Sequence, residues 1–501
     1  MAMAGRRKHG LAPTGLPLAD MIAREMEAQS LSLVGFAKRV RKAAEKADDE
    51  HSAASDSLVC KWRAGQVTPS EHHARLIARA TNVPVAVVVA AAEIQRKLVT
   101  QATTVGGATD PPVPAPPDTS SAVRPTGREL NASSGGLIYS PGLDHALATV
   151  TSLWGEDRTG QTLLRSSPER GAWTSAALHW LVTPADSLAG RPGSRIGATD
   201  ISALRGATTK FAELDNRFGG GAARRLLVQY LATDVSSMLT GSYSESDGRA
   251  LLSAASEATL LAAWMSYDAG LHGAAQRYFV QALRLAKAAD DHLLGTSILA
   301  AMSHQATYLG DFGEAADLAR AASMGGRTRT TATLMALFHA QEARACAAAG
   351  DERGCVAALA CAESHFAKSN PADDPEWIHY FDEGELAAEF AHCFRDLTQP
   401  GQAIEYANRS LALTDARYAR SNVFCMLVLA IAQLQKGDSG SACSTATSAM
   451  DVSGAMGSVR PNQYIDDFNR RLQESGDDHV IQQFEETLQR SRFARNGGIA
   501  L

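Results

Sequence analysis

Cationic and polar side chains alternate with apolar ones in the short segment SDSLVCKWRAG, which spans residues 55–65. Val59 and Trp62 are three positions apart, so they lie on one face of a helix and form its buried side. The outer face then carries Asp56, Ser57, Lys61 and Arg63. Ammonium and guanidinium groups on such a face donate hydrogen bonds to phosphate oxygens and other acceptors. The segment therefore predicts a short helix that presents cations to a polyanion.

Short helices on both sides are expected to hold this segment in place. Ser55 is a suitable N-cap for a helix over 56–64, which Gly65 ends. Two helices precede it, with apolar faces formed by Leu18, Met21, Ile22 and Met26 and by Leu33, Phe36, Ala37, Val40 and Ala44. Two more follow it, opening at Pro69-Ser70 and at Val83-Pro84. Residues 16–99 are thus predicted to form a small helical bundle.

The composition excludes several classes of protein. The chain has 501 residues, 45% of them hydrophobic and 20% charged, as expected for a globular protein of more than one domain. No run of about 18 apolar residues occurs, so no membrane span is expected, and the basic N-terminus lacks the apolar region of an export signal. The seven cysteines form no C-x-x-C pair, which indicates reduced thiols and a cytoplasmic location.

The charge is divided unevenly along the chain. Residues 1–100 hold 15 Lys and Arg against 10 Asp and Glu, a balance of +5, and the total of −6 leaves −11 for the rest. A basic head on an acidic body indicates a polyanion partner for the head alone.

A change in composition marks a linker after the head. Residues 100–143 include ATDPPVPAPPDTSSAVRPTG and NASSGG, which offer almost nothing to bury. We therefore expect an all-α protein with a disordered basic tail at 1–15, a helical bundle at 16–99, a flexible linker at 100–143, a helical region at 144–250 and a repeat domain at 251–495.

The repeat domain is predicted from small residues at fixed positions around Gly270, Gly310, Gly350 and Gly437, with Thr398 in the glycine's place in a further unit. The residues seven positions before, five after and twelve after are Ala263, Ala275, Ala282; Ser303, Ala315, Ala322; Ala343, Cys355, Ala362; Ala391, Ala403, Ser410; and Ala430, Ala442, Ala449. Such residues allow two antiparallel helices to approach closely, with the glycine in the turn between them. Five helical hairpins are therefore predicted.

This spacing resembles that of tetratricopeptide (TPR) repeats, although the units here are longer than the usual period of about 34 residues. With segments such as MSHQATYLGD, EARACAAAGD and HCFRDL, the whole chain resembles actinobacterial regulators. Those regulators join a helix-turn-helix of the repressor and Cro (XRE) type to a TPR array, and members are implicated in sporulation and antibiotic production. The resemblance implies an N-terminal helix-turn-helix bundle, a flexible linker and a C-terminal TPR-like α-solenoid.

The resemblance also implies contacts to double-stranded DNA. The second helix of the motif enters the major groove, so Asp56, Ser57 and Lys61 fall where the family reads bases, and Arg63 is expected to contact phosphate. The preceding helix adds attraction to the backbone through Lys38, Arg39, Arg41 and Lys42. The acidic insert at 45–55, EKADDEHSAAS, is longer than the family's usual turn. Either the helix before it is extended or a loop is inserted.

A binding groove is implied as well. In TPR arrays three positions of each first helix face a concave groove, and here they hold Glu257, Trp264, Tyr267, Ser297, His304, Thr307, Arg344, Glu385, His392 and Arg395. The same positions of the fifth unit hold Phe424, Ile431 and Leu434, which we expect to pack under a terminal helix. Such a lining suits a peptide, a small molecule or a partner protein. Glu342 is expected to pair with Arg344 or another nearby arginine.

Other chemistry has less support. Glu389 and His392 have the spacing seen in di-iron bundles, but the motif occurs once, so no metal site is predicted. The run Gly219-Gly220-Gly221 between Arg217 and Arg224-Arg225 leaves a phosphate or nucleotide sensor open as a third alternative. No catalytic motif stands out, so we expect neither an enzyme nor a cofactor.

The sequence therefore predicts a cytoplasmic, homodimeric transcriptional regulator that binds DNA sequence-specifically. Its repeat domain is expected to bind an effector or to mediate dimerisation, in the control of development or antibiotic production. The alternative is a TPR adaptor that binds proteins without binding DNA.

Overall fold

Helices form almost all of the regular structure, as the abundance of alanine predicts. The computed structural model describes residues 16–45, 55–81, 83, 85–104, 135–160, 163–188, 193–218, 220–327, 329–415, 418–454 and 459–495. Within these ranges the one β contact is an isolated bridge between Arg195 and Ser242, so the fold is all-α. The basic tail, most of the acidic insert and most of the predicted linker lie outside the described residues. The chain divides into two units, Met1–Asp110 and Pro111–Leu501.

The smaller unit consists, in its described residues, of α1 Pro17–Ala28, α2 Leu33–Glu45, α3 Asp56–Arg63, α4 Glu71–Thr81 and α5 Val85–Thr104. Each of the first four buries the face that its apolar spacing predicts. Ile22 of α1, Val40 of α2 and Ile77 of α4 are fully buried. The short helix α3 packs on α1 and α2. α5 continues past the predicted boundary at 99, because its sequence contains neither glycine nor proline to end it.

The larger unit begins with α6 Leu143–Thr159, α7 Ala172–Val182, α8 Ala198–Phe218 and α9 Gly220–Tyr230, which a π turn at Leu231–Val235 continues. Five helical hairpins follow, here called the hairpin array. They are α10 Glu245–Asp268 with α11 His272–Ala288, α12 His292–Tyr308 with α13 Phe312–Gly326, α14 Ala332–Ala348 with α15 Glu352–Phe366, α16 Glu383–Asp396 with α17 Pro400–Leu413, and α18 Ala419–Gln435 with α19 Ser439–Ser453.

The turns and the close helix contacts of the array confirm the predicted pattern. Gly270, Gly310, Gly350 and Gly437 adopt φ between +76° and +88°, in the left-handed region that glycine enters without strain. Thr398, in the glycine's place, has φ +54°. All fifteen small residues at the three fixed offsets are at most 2% exposed. The two helices of each hairpin therefore meet along small side chains, as the sequence predicts.

An ordered segment covers the outer face of α11, and this was not predicted. Gln281 of α11 donates to the carbonyls of Gly136 and Ile138, and Arg284 donates to those of Ser140 and Pro141. The predicted linker extends to residue 143, whereas carbonyls between residues 136 and 141 already accept from α11. The composition of this stretch gives little apolar burial, but its backbone carbonyls bind polar side chains of α11 instead.

Two further helices, α20 Arg460–Gln473 and α21 Asp478–Arg495, close the end of the array. Phe468 and Leu472 of α20 are fully buried and pack with Val423, Leu427 and Ile431 of α18. The prediction that Ile431 and Leu434 lie under a terminal helix is thus confirmed. None of the helices in the described ranges is long and apolar enough to cross a membrane.

Candidate functional site

The first candidate site is the outer face of α3 in the smaller unit. Ser55 caps the helix, since its Oγ accepts from the Leu58 N–H at 3.2 Å. Val59 and Trp62 are 0% and 1% exposed, whereas Asp56, Ser57 and Lys61 are exposed and Arg63 is half-buried. Gly65 ends α3 at φ +71°, where a Cβ would lie 2.3 Å from Leu16 Cδ1. The helix thus has the inner and outer faces that the sequence predicts.

Further cations lie on the neighbouring α2. Lys38, Arg39 and Lys42 are exposed, and Arg39 donates to the Gln29 side chain. Arg41 forms an ion pair of 2.7 Å with Asp56, so the pair joins α2 to the first turn of α3. Asp56 was predicted to read a base, but its carboxylate is already engaged by this arginine. Ser57 and Lys61 retain outward-facing groups available for contact.

The second candidate site is the side of the array formed by its first helices, where Arg460 of α20 inserts. Its guanidinium carbon lies 4.2 Å from the centre of the Tyr267 ring and 4.5 Å from that of Phe424. Its NH1 donates to Asp268 at 3.0 Å. Because Tyr267 belongs to the first hairpin and Phe424 to the fifth, the array curves until its ends meet at Arg460.

A second, half-buried arginine joins the same ends. Arg420 of α18 donates to Asp215 of α8 at 2.7 Å and also to Asp268 of α10. Burial raises the pKa of Asp215 to about 6, although Arg420 opposes this effect. Breaking such a pair leaves an uncompensated buried charge, which costs about 3–5 kcal/mol. These contacts hold the array closed.

Charged groups also line the middle hairpins. Arg344 of α14 forms an ion pair of 2.6 Å with Glu389 of α16, which accepts from Gln341 as well. Burial raises the pKa of Glu385 to about 8, and nearby Glu389 and Asp382 add to the effect. Glu389 is therefore held by Arg344 rather than available to a metal. No group of three or more His, Cys, Asp or Glu suited to a metal occurs among the described residues.

Two imidazoles lie among these groups. The ring of His304 is 5.5 Å from Trp264 and 5.7 Å from Tyr267, and the ring of His392 is 6.1 Å from Tyr464 of α20. Burial, then Arg460 and Arg344, lower the pKa of His304 well below its usual range. Burial, then Arg344 and Arg395, do the same to the pKa of His392. Both histidines are therefore neutral at pH 7.

The predicted groove residues are only partly brought together. Tyr267, His304, Arg344 and His392 converge around α20, but Tyr267, Arg344 and His392 are buried rather than on an open groove. Glu257 forms an ion pair of 3.3 Å with Arg205 of α8, and Arg395 pairs with Asp396. Thr307 donates to its own helix at Ser303, and Ser297 is 8% exposed. Side chains of α20 thus lie against part of the predicted groove.

Two smaller expectations can also be compared with the structure. Glu342 pairs with Arg320 of α13 at 2.7 Å, so the expected pairing with a nearby arginine is confirmed. Arg224, predicted as part of a phosphate-binding run, is 8% exposed and donates to Asp157 and Ser266. Gly219 lies outside the described residues. Arg224 is therefore unavailable to a phosphate in this position.

Several residues of the second site were missed by the sequence reasoning. Asp268 and Tyr308 lie two residues before the turn glycines, at a position that was not assigned to the groove. In the fourth and fifth units this position holds Asp396 and Gln435, so its polar character is a signal that could have been used. Arg460 and Tyr464 lie outside the repeats, and no spacing predicts them.

Comparison with known proteins gives no further guide to either site. No protein-family model matches the chain, and a search of curated proteins finds no match. The functional proposals therefore follow from side-chain geometry and charge.

Proposed function

We propose that this chain is a cytoplasmic, non-enzymatic transcriptional regulator that binds double-stranded DNA sequence-specifically. In this proposal α2 and α3 act as a helix-turn-helix of the repressor and Cro type. The hairpin array acts as a TPR-like solenoid that binds an effector or mediates dimerisation. A homodimer is proposed because paired half-sites on DNA normally match two-fold protein symmetry.

The outer face of α3 is the observation that carries this proposal. The helix is anchored by Val59 and Trp62, which are at most 1% exposed, while Ser57 and Lys61 project from the opposite side. Lys61 has no side-chain partner among the described residues. Exposed cations on the adjacent α2 extend the same kind of surface, and such cations supply the salt-dependent part of DNA affinity. A short, firmly packed helix with polar donors outward is suited to reading base edges.

Selection of genomic fragments by the purified full chain at low salt tests this proposal. We expect enrichment of a short inverted repeat, whose binding is then measured by fluorescence polarisation. Lys61→Ala should weaken specific binding by about 10- to 100-fold, the effect of losing one base or phosphate contact. Arg79→Ala is a matched control, because Arg79 is an exposed cation on α4 outside the predicted contact set. It should change affinity by less than about threefold.

Two results would contradict the proposal. One is the absence of any enriched sequence at low salt, which would favour a protein-binding adaptor. The other is equal loss of affinity in both variants, which would indicate binding by overall charge alone. Sedimentation of the full chain with and without the selected fragment measures whether it binds as a dimer.

A further inference from the structure

The region around Arg460 contains buried polar atoms that lack hydrogen-bond partners. Among the described residues, no partner is present for Nε of Arg344 and Arg460, Nδ1 of His304 and His392, or Oη of Tyr267. Tyr267 is fully buried, and Arg344, His392 and Arg460 are 7–8% exposed. The space bounded by these five side chains is called the array interior below.

These five side chains come from five different helices, yet they converge. Arg460 stacks on Tyr267, and His304 contacts the same ring. Arg344 and Arg460 each lie close enough to both His304 and His392 to lower their pKa values. Tyr464 lies beside His392 and is near enough to Arg344 to influence its pKa. The five side chains therefore form one cluster.

The chemistry of the unpartnered atoms indicates which hydrogen-bonding atoms a bound ligand must supply. The Nε–H of an arginine only donates, whereas an imidazole Nδ1 or a phenol oxygen can donate or accept. Leaving a buried donor unsatisfied costs free energy, so native proteins rarely do so. Two guanidinium donors without acceptors require oxygen atoms, and charged oxygen acceptors make the strongest such bonds.

We propose that the array interior binds a small ligand through an oxyanion, a carboxylate or a phosphate, that accepts hydrogen bonds from Nε–H of Arg344 and Arg460. His304, His392 and Tyr267 donate to the same group or to an adjacent oxygen of the ligand. Trp264 and His304 are only half-buried, so the interior is in contact with solvent on their side. An aromatic or apolar body of the ligand would lie against Trp264.

This inference concerns binding itself and does not depend on DNA recognition. Only its role as the effector site rests on the proposed regulator. The two can therefore fail separately, because anion binding is measured without DNA and the Lys61 experiment without an added ligand.

Calorimetric titration of the full chain with inorganic phosphate and with benzoate tests the inference, with chloride at equal ionic strength as the reference. We expect saturable binding of at least one of the two anions, and the tighter one identifies the ligand's charged group. Arg344→Lys keeps a cation beside Glu389 but removes the Nε–H. His304→Gln removes an imidazole that contacts the rings of Trp264 and Tyr267. Each should weaken binding at least about tenfold, since the bonds lost are to a charged acceptor.

His365→Gln is the matched control. His365 is a half-buried histidine stacked on His339, 5.5 Å between ring centres, outside the array interior. This variant should bind like the unmodified chain. Thermal melts establish that each variant is folded, and His304→Gln remains informative if Arg344→Lys is not. Absence of saturable binding for both anions, or equal affinity in all folded variants, would overturn the inference.

Discussion

Arg284 of α11 and Lys61 of α3 are both cations on the polar face of an amphipathic helix, but their surroundings are opposite. Arg284 is 2% exposed, and its guanidinium forms two bonds to Asp186, at 2.7 and 2.9 Å, besides those to the carbonyls of Ser140 and Pro141. Lys61 faces solvent, without a side-chain partner among the described residues. The chain itself satisfies the first cation and leaves the second available for a binding partner.

A polar helical face therefore does not by itself indicate exposure or function. Gln276, Arg277, Gln281, Arg284 and Lys287 would be read from the sequence as the solvated face of α11. The structure buries all five, and most of their hydrogen bonds go to backbone carbonyls of residues 136–180. Binding to another molecule is better inferred from polar atoms that the chain leaves without a partner.

The largest effect in this comparison is expected from Arg284→Met. The substitution leaves Asp186 without its cation and two carbonyls without donors, and losing one partner of a buried pair costs about 3–5 kcal/mol. Denaturant unfolding followed by circular dichroism should show this loss in the free energy of unfolding of the larger unit. The DNA binding proposed for α3 should not require Arg284 directly.

Arg470→Met provides the control for that variant. Arg470 is 58% exposed and pairs on the surface of α20 with Asp467 and, at 3.1 Å, with Glu474. Exposed pairs contribute about 0–1 kcal/mol, so this variant should unfold almost like the unmodified chain. Equal losses in the two variants would remove the distinction drawn between buried and exposed cations.

The separation in sequence between contacting residues explains how much of the molecule could be predicted. The turns at Gly350 and Thr398 and the buried Ala343 were predicted correctly, because helix length, turn geometry and close packing depend on residues near in sequence. The insertion of Arg460 was not, since it brings together the first and fifth hairpins, whose proximity depends on the curvature of the whole array.

The candidate sites divide in the same way. Around α3 the burial of Trp62 and the exposure of Lys61 follow from three-residue spacing, so the sequence was sufficient. Among the groove residues, the positions carried over from TPR repeats included His304 and His392 but could not show that Tyr464 of α20 lies against His392. A segment outside the repeats carries no periodic signal that places it.

A smaller effect on stability is expected from Ser55→Ala, which destabilises α3 without changing its charge. The Oγ of Ser55 accepts from the Leu58 N–H, and losing such a cap costs about 1 kcal/mol. Amide hydrogen exchange at Leu58 and Val59 should accelerate. Ser57→Ala is the matched control, because Ser57 is exposed on the same turn and does not cap the helix. Unchanged exchange in Ser55→Ala would show that packing of Trp62 alone fixes the helix.

The smallest effect on stability is expected from Lys61→Met combined with Lys42→Met. Both side chains are exposed, and surface substitutions of this kind change the free energy of unfolding by less than about 0.5 kcal/mol. The same pair should weaken DNA binding and reduce its dependence on salt, because fewer counterions are released when fewer phosphates are neutralised. A large loss of stability would mean that these lysines serve the fold, as Arg284 does. If an unpaired cation binds a partner, substitution of Arg284 should lower stability much more than DNA affinity. Substitution of Lys61 should lower DNA affinity much more than stability.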